Sequence, residues 1–203
     1  GHSCFRLRGN GVDLLTDPYS STVGFDLPSV SPRIVTVSNS HPHHNNAADI
    51  AGNPKILTGP GEYEIGGVRI DAVRTPSPSD HTLRNTAFMI HMEGIVFCHL
   101  GDLASPLTTT LVERLRSTQI LFVPVGGLCT ISSAQAIETI NRLEPRIIVP
   151  MHFKTPDSAV QLDTIDTFLR GLGTTDPTIQ QRISITATAL SNRDPQLIIL
   201  QRP

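Results

Sequence analysis

The 203-residue sequence has no tryptophan, two tyrosines, three cysteines and two lysines. Each scarcity excludes something. Cys4, Cys98 and Cys129 are odd in number and widely spaced, which argues against a disulfide framework and suits a reducing, cytoplasmic setting. Charged residues make up 17% of the chain and the net charge is −2, too little for acidic or basic disordered tails. The 14 arginines and two lysines are dispersed, so no basic patch marks a nucleic-acid partner. No apolar run approaches the ~18 residues of a membrane span, and no charged-then-apolar leader opens the chain. The abrupt start at Gly1-His2-Ser3-Cys4 leaves room for a short upstream segment. At about 150 residues per domain the length predicts one domain over 1–203. A hydrophobic content of 38% suffices for one ordinary core. What the sequence has in quantity is turn formers and histidine, with 15 Gly, 16 Pro and 8 His.

Short apolar runs dominate the first half. Cys4–Leu7, Val12–Thr16, Arg33–Val37, Lys55–Thr58 and Val68–Val73 have strand lengths. Asn10-Gly11 reads as a hairpin turn, and His91-Met92-Glu93-Gly94 reads as a second one between Thr86–Ile90 and Ile95–Leu100. Glu62 and Glu64, alternating around Tyr63, suit a strand face. After residue 100 the pattern turns to strand–helix alternation. Helical stripes run over Leu107–Leu115, Ser132–Leu143 and Leu162–Leu169, the last closed by Gly171 as its C-cap. Buried strands are expected at Ile120–Val125 and Arg146–Val149, and two more at Ile183–Ala187 and Leu197–Leu200. Gly171–Thr178 reads as a polar loop, and Gly126-Gly127 as a turn rather than a phosphate cradle. A meander followed by alternation predicts an α/β fold with two sheets face to face and helices outside.

Three of the eight histidines fall within Asn39-Ser40-His41-Pro42-His43-His44, directly after the apolar strand Arg33–Val37. A loop anchored by a buried strand is where chemistry is commonly placed. Imidazole is a frequent ligand of borderline metals, at roughly 2.0–2.1 Å. Two further donors sit at similar places. Asp102 follows the strand ending His99-Leu100-Gly101, and His152 follows Pro150-Met151. Donors at the ends of three separate strands are the pattern of a metal site assembled from loops.

These residues resemble the metallo-β-lactamase fold superfamily, in particular its predicted Zn-dependent hydrolase branch that includes ascorbate-6-phosphate lactonase-like proteins. The match continues through Gly1-His2-Ser3-Cys4, Asp17-Pro18-Tyr19, Gly59-Pro60-Gly61-Glu62-Tyr63-Glu64-Ile65, Arg84-Asn85-Thr86 and Pro124-Val125-Gly126-Gly127, and runs to about Phe168. It implies a four-layer αββα sandwich. The family's loop reads His-x-His-x-Asp-His. Here Asn39 takes the place of its first histidine and His43 that of its aspartate. Ser79 stands where the family has a middle histidine, with His81 two positions away as a substitute.

The resemblance thus implies a dismantled first metal position, in which only His41 survives. The second position would be His43, His44, Asp102 and His152, three nitrogens and a carboxylate that suit zinc or another divalent transition ion. The metal candidates are therefore His41, His43, His44, Asp102 and His152, with Asp102 also the catalytic candidate. His2 and Asp17 are expected to support them from behind. The implied activity is slow hydrolysis of a small ester, lactone or phosphoester by a metal-bound hydroxide at a mononuclear site. The alternative is a degenerate relative, with or without metal, that binds a small ligand or partner. No nucleic-acid or membrane partner is expected. Cys98 and Cys129 read as inert, and the oligomeric state stays open.

Overall fold

The computed structural model describes residues 1–76, 84–174, 176–191 and 194–202. Strands β1 (Arg6–Gly9) and β2 (Val12–Thr16) form the first hairpin. Its turn residues Asn10 and Gly11 both have positive φ, 54° and 68°, the conformation a tight two-residue hairpin requires. Strands β3 (Ile34–Thr36) and β4 (Lys55–Leu57) add in parallel, giving a four-stranded sheet ordered β1-β2-β3-β4.

The second sheet begins with an antiparallel meander of β5 (Gly61–Ile65), β6 (Val68–Arg74), β7 (Thr86–Met92) and β8 (Ile95–His99). It continues in parallel through β9 (Ile120–Pro124) and β10 (Ile147–Met151), with helix α1 (Thr109–Leu115) before β9 and α2 (Ser133–Leu143) before β10. After helix α3 (Asp166–Leu172) come β11 (Thr178–Gln180), the short helix α4 (Ala187–Ser191) and β12 (Gln196–Leu200). The sheet order is β11-β12-β10-β9-β8-β7-β6-β5.

Period-two alternation explains the layers. Leu14 and Ile34 of the small sheet pack on Ile70, Phe88 and Ile90 of the large one, while their chain neighbours Leu15 and Val35 face the opposite way into a cluster with Tyr19 and Val23. In β7, Phe88 faces the small sheet, and Ala87 and Met89 face the helices. Leu115, Ile140 and Phe168 from α1, α2 and α3 cover that outer face. The result is the expected αββα sandwich. On the small sheet, however, the outer layer is the 18–50 segment with two 3₁₀ turns, Ser21–Val23 and Ala47–Asp49, in place of long helices. Helix α2 starts at a capping box in which Ser132 and Gln135 satisfy each other's backbone N–H groups, a device worth about 1 kcal/mol.

Three expectations fail near the C-terminus, the first being the helix expected from Leu162, which begins at Asp166 and runs on to Leu172. Residues 183–186 form no strand. Ile183 and Ile185 alternate onto the apolar cluster around Ile120 and Phe122, but neither pairs in a sheet. Alternating burial needs a surface to lie on, not a hydrogen-bonded neighbour. Gly171 is not the cap of α3 either. Gly173 is, at φ 68°, while a side chain at Gly171 would come 2.6 Å from Ile137 of α2. Close helix packing is what requires that glycine.

Candidate metal centre

The loops that leave β2, β3, β8, β9 and β10 converge at the carboxyl ends of these strands, the usual ligand-binding end of parallel sheets. Asp17 follows β2 and is fully buried, at φ 36°. Its Oδ1 accepts the Ser38 N–H at 2.8 Å, and its Oδ2 accepts the Ser38 hydroxyl at 2.6 Å and His44 Nδ1–H at 2.8 Å. Burial alone would raise the Asp17 carboxyl, but the hydrogen bond from His44 and the nearby imidazoles hold it below its ordinary value. In His44 burial opposes charge, and the Asp17 hydrogen bond and the two carboxylates outweigh it, so the net shift is upward. With Nδ1–H committed to Asp17, Nε2 is the nitrogen left with a free lone pair.

That Nε2 lies 3.6 Å from Asp102 Oδ1, and His152 Nε2 lies 3.5 Å from the same oxygen. Both separations are long for a hydrogen bond. Two ligands about 2.0–2.1 Å from one tetrahedral ion sit roughly 3.4 Å apart, close to what is seen here. Asp102 Oδ1 is buried and receives no hydrogen bond among the described residues. Its other oxygen accepts Asn39 Nδ2–H at 3.0 Å. Burial pushes the Asp102 carboxyl above its ordinary range despite His44. His44 and His152 thus each stand at near-ligand spacing from Asp102 Oδ1, and a cation there would satisfy the orphaned oxygen and offset the buried charge.

Asp102 is held from the other side as well. Its N–H donates to Asn85 Oδ1 at 2.9 Å, while Asn85 Nδ2 donates to Thr75 Oγ1 and Leu100 O. At Gly101 (φ 60°) a side chain would meet Ser38 Cβ at 2.3 Å, so the two loops close only around glycine. His99 is a clamp rather than a donor to the centre, with Nε2–H on Ser3 O at 2.8 Å and Nδ1 accepting Gly101 N–H. His152 is buried at φ 55°, an uncommon conformation for a non-glycine residue. Burial drives its imidazole well below its ordinary pKa, so it stays neutral.

Residues 1–152 match the family profile described as the β-lactamase superfamily domain. The chain belongs to that superfamily. A UPF0173 protein of Pyrococcus furiosus is 30% identical over 186 residues, covering 78% of this chain and 83% of the relative. A UPF0173 metal-dependent hydrolase of Natranaerobius thermophilus is 23% identical over 182 residues, covering 76% and 82%. Among solved structures, a candidate Zn-dependent hydrolase of the metallo-β-lactamase superfamily from Thermotoga maritima has 32% identity and a TM-score of 0.80, covering 99% of this chain and 96% of that one. A metallo hydrolase from Ignicoccus hospitalis shares the fold at 17% identity and a TM-score of 0.69, covering 100% and 93%.

Within this β-lactamase superfamily chain the expected donors separate into two groups. His44, Asp102 and His152 come together. His41 and His43 stand at the partly exposed mouth. His41 Nδ1 accepts the His43 N–H at 3.2 Å, and neither ring joins a cluster of donors within 4.8 Å of one another among the described residues. Asn39, in place of the family's first histidine, spends its carbonyl on His41 N–H at 2.8 Å and its amide on Asp102. Ser79 and His81 lie outside the described residues. Asp17 stands behind His44 as expected.

His2 is closer than expected. A donor nitrogen of its ring lies within 4.8 Å of those of His44 and His152, its ring centroid is 4.1 Å from that of His152, and its Nε2 is buried without a partner among the described residues. Burial, then the neighbouring imidazoles, push its pKa far down. Cys129 was read as inert, yet its sulfur lies within 4.8 Å of donor atoms of Asp102 and His152. As a free thiol it is weakly acidic, pushed up to about 11 by burial and by Asp102. The only sequence signal for Cys129 is its place just after the strand-ending Gly126-Gly127. Asn85 carried only its place in the family match at Arg84-Asn85-Thr86, and Ser38 no signal beyond lying beside a strand.

Proposed function

We propose that the chain is a mononuclear metal-dependent hydrolase of a small ester, lactone or phosphoester. The observation that carries this reading is the approach of His44 Nε2 and His152 Nε2 to one buried, unpartnered oxygen, Asp102 Oδ1. A transition ion bound there would act as a Lewis acid that acidifies water toward neutral pH. Asp17 keeps the His44 proton on Nδ1, so that Nε2 serves as a donor. Asn39 and Asn85 fix the Asp102 side chain and backbone, leaving Oδ1 to face the ion and orient the attacking water. His2 stands beside His152 as a further nitrogen donor. With the amide of Asn39 spent on Asp102 and the His41 N–H, that position offers no donor to a second ion, and turnover is expected to be slow.

Metal analysis of tag-free protein, combined with hydrolysis of a p-nitrophenyl ester, a γ-lactone and bis-p-nitrophenyl phosphate, tests the reading. One ion per chain, and hydrolysis lost with a chelator and in His152→Ala, is the expected result. Protein that stays metal-free after zinc addition overturns it. The competing reading, a non-catalytic binding protein, is favoured by the amide of Asn39 at a ligand position, and stoichiometric metal without turnover on any of the three substrates would support it.

A further inference from the structure

Three cysteines are present and none is bonded to another. Cys4 and Cys98 are buried in the core, while Cys129 is exposed. The chain places Cys129 with two consecutive left-handed residues, Gly127 at φ 59° and Leu128 at φ 55°. Leu128 points outward, 72% exposed. The turn brings the Cys129 sulfur, a ligand atom of Asp102 and one of His152 within 4.8 Å of one another. Two further observations point to a missing ligand there. The His152 side chain is only 2% exposed, and its Nε2 lies 3.5 Å from Asp102 Oδ1, too long for a good hydrogen bond. Asp102 Oδ1 is likewise without a donor.

We propose that Cys129 supplies a thiolate ligand to an ion held with Asp102 and His152, making the centre a mixed nitrogen, oxygen and sulfur site. The inference rests on the metal reading above. His44 and His152 are buried, so Cys129 approaches from the solvent side. A sulfur and a nitrogen sharing a tetrahedral ion lie roughly 3.6 Å apart, so the closure needed between Cys129 and His152 is at most about 1.2 Å. A soft donor biases the site toward zinc or cobalt(II) and away from magnesium or manganese. Ligation breaks the S–H bond, forms an S–metal bond and releases one proton to solvent, without redox change. Asn39 explains why a sulfur is useful here, because neither end of its amide remains for a metal.

The test is a cobalt(II) titration of the metal-free full chain and of Cys129→Ser, read by absorbance. The expected result is a sulfur-to-cobalt charge-transfer band in the near ultraviolet for the wild type only, with visible d–d bands in both proteins. Alongside it, zinc should slow the reaction of wild-type thiol with Ellman's reagent at least about tenfold, since metal ligation ties up the thiolate. Stoichiometric cobalt binding with no charge-transfer band, and zinc without effect on thiol reactivity, overturns the role of Cys129 while the metal site stands. No cobalt binding by either protein overturns the metal reading and this inference with it.

Discussion

Replacing Asp17 with asparagine removes one charge and almost no volume, which makes it a clean probe of how the centre is held. Asp17 accepts three hydrogen bonds while fully buried, two from Ser38 and one from His44 Nδ1–H. An amide has one acceptor oxygen and two donor hydrogens. If its oxygen stays on the Ser38 N–H, its NH₂ faces His44 Nδ1. That nitrogen must then become an acceptor, and the proton moves to Nε2, the atom 3.6 Å from Asp102 Oδ1. A protonated Nε2 cannot bind a metal. If the amide instead turns its NH₂ toward Ser38, two buried donors face each other, at a cost of about 1–3 kcal/mol. Loss of an outer partner of a metal-binding histidine typically weakens affinity by about 10–100-fold, or roughly 1.4–2.7 kcal/mol. Asp17→Asn is expected to reach the upper end of that range, because the tautomer changes as well as the orientation. Zinc affinity can be measured by competition with a chromophoric chelator at fixed pH, and the His44 tautomer by ¹⁵N NMR. Affinity within about twofold of wild type, with the proton still on Nδ1, would refute the reasoning.

The two groups of histidines should separate by mutation. His44→Ala and His152→Ala are expected to lose stoichiometric metal, whereas His41→Ala and His43→Ala should weaken binding far less; the reverse order in equilibrium dialysis would overturn the assignment. Gly126→Ala would bring a Cβ within 2.0 Å of the His152 carbonyl oxygen. Forced overpacking of about 1–3 kcal/mol should lower Tm by several degrees, near 2–4 °C per kcal/mol for a chain of this size, and calorimetry checks it. The metal-free protein has a predictable acid limit. His2, His43, His99 and His152 have folded pKa values depressed below the unfolded 6.5, so as pH falls through 6.5 the unfolded chain takes up protons that the fold refuses, and stability drops. His44, raised above 6.5, acts in the opposite sense: its contribution is complete below 6.5 and is lost as pH rises. With four groups against one, the unfolding free energy from urea titrations, and the midpoint with it, should fall below pH 6.5, by at most about 1.4 kcal/mol per pH unit for each uncompensated histidine. A midpoint that rises on acidification would contradict this.

Much of the fold was legible because strand signals are local. The apolar runs at Val12–Thr16 and Ile120–Pro124 fall where the strands lie, and Asn10-Gly11 forms the turn its backbone preference implies. The misreadings at Gly171 and at 183–186 share one cause. Glycine can serve a cap or a close helix contact, and alternation can serve a strand or a segment lying on a sheet, and only the neighbouring surface distinguishes them. At the site, Asp102 and His152 were readable as strand-end donors. His2 was legible only as a supporting residue through the family resemblance, and Cys129 not at all, since its local context is unremarkable and it acquires its neighbours only in space.

By itself, then, the sequence determined the order of sheets and helices and the strand ends at which donors emerge, because side-chain periodicity and turn chemistry act over a few residues. Only the tertiary structure decided which donors meet. Adjacent histidines in a loop leave the backbone in different directions, so His44 turns inward to Asp17 and Asp102 while His41 and His43 stay at the mouth. Residues as far apart in the chain as His2, Asp102 and Cys129 are each brought within a few ångströms of His152, the latter two by the adjacency of β8, β9 and β10 in one sheet and His2 from the chain's start before the other.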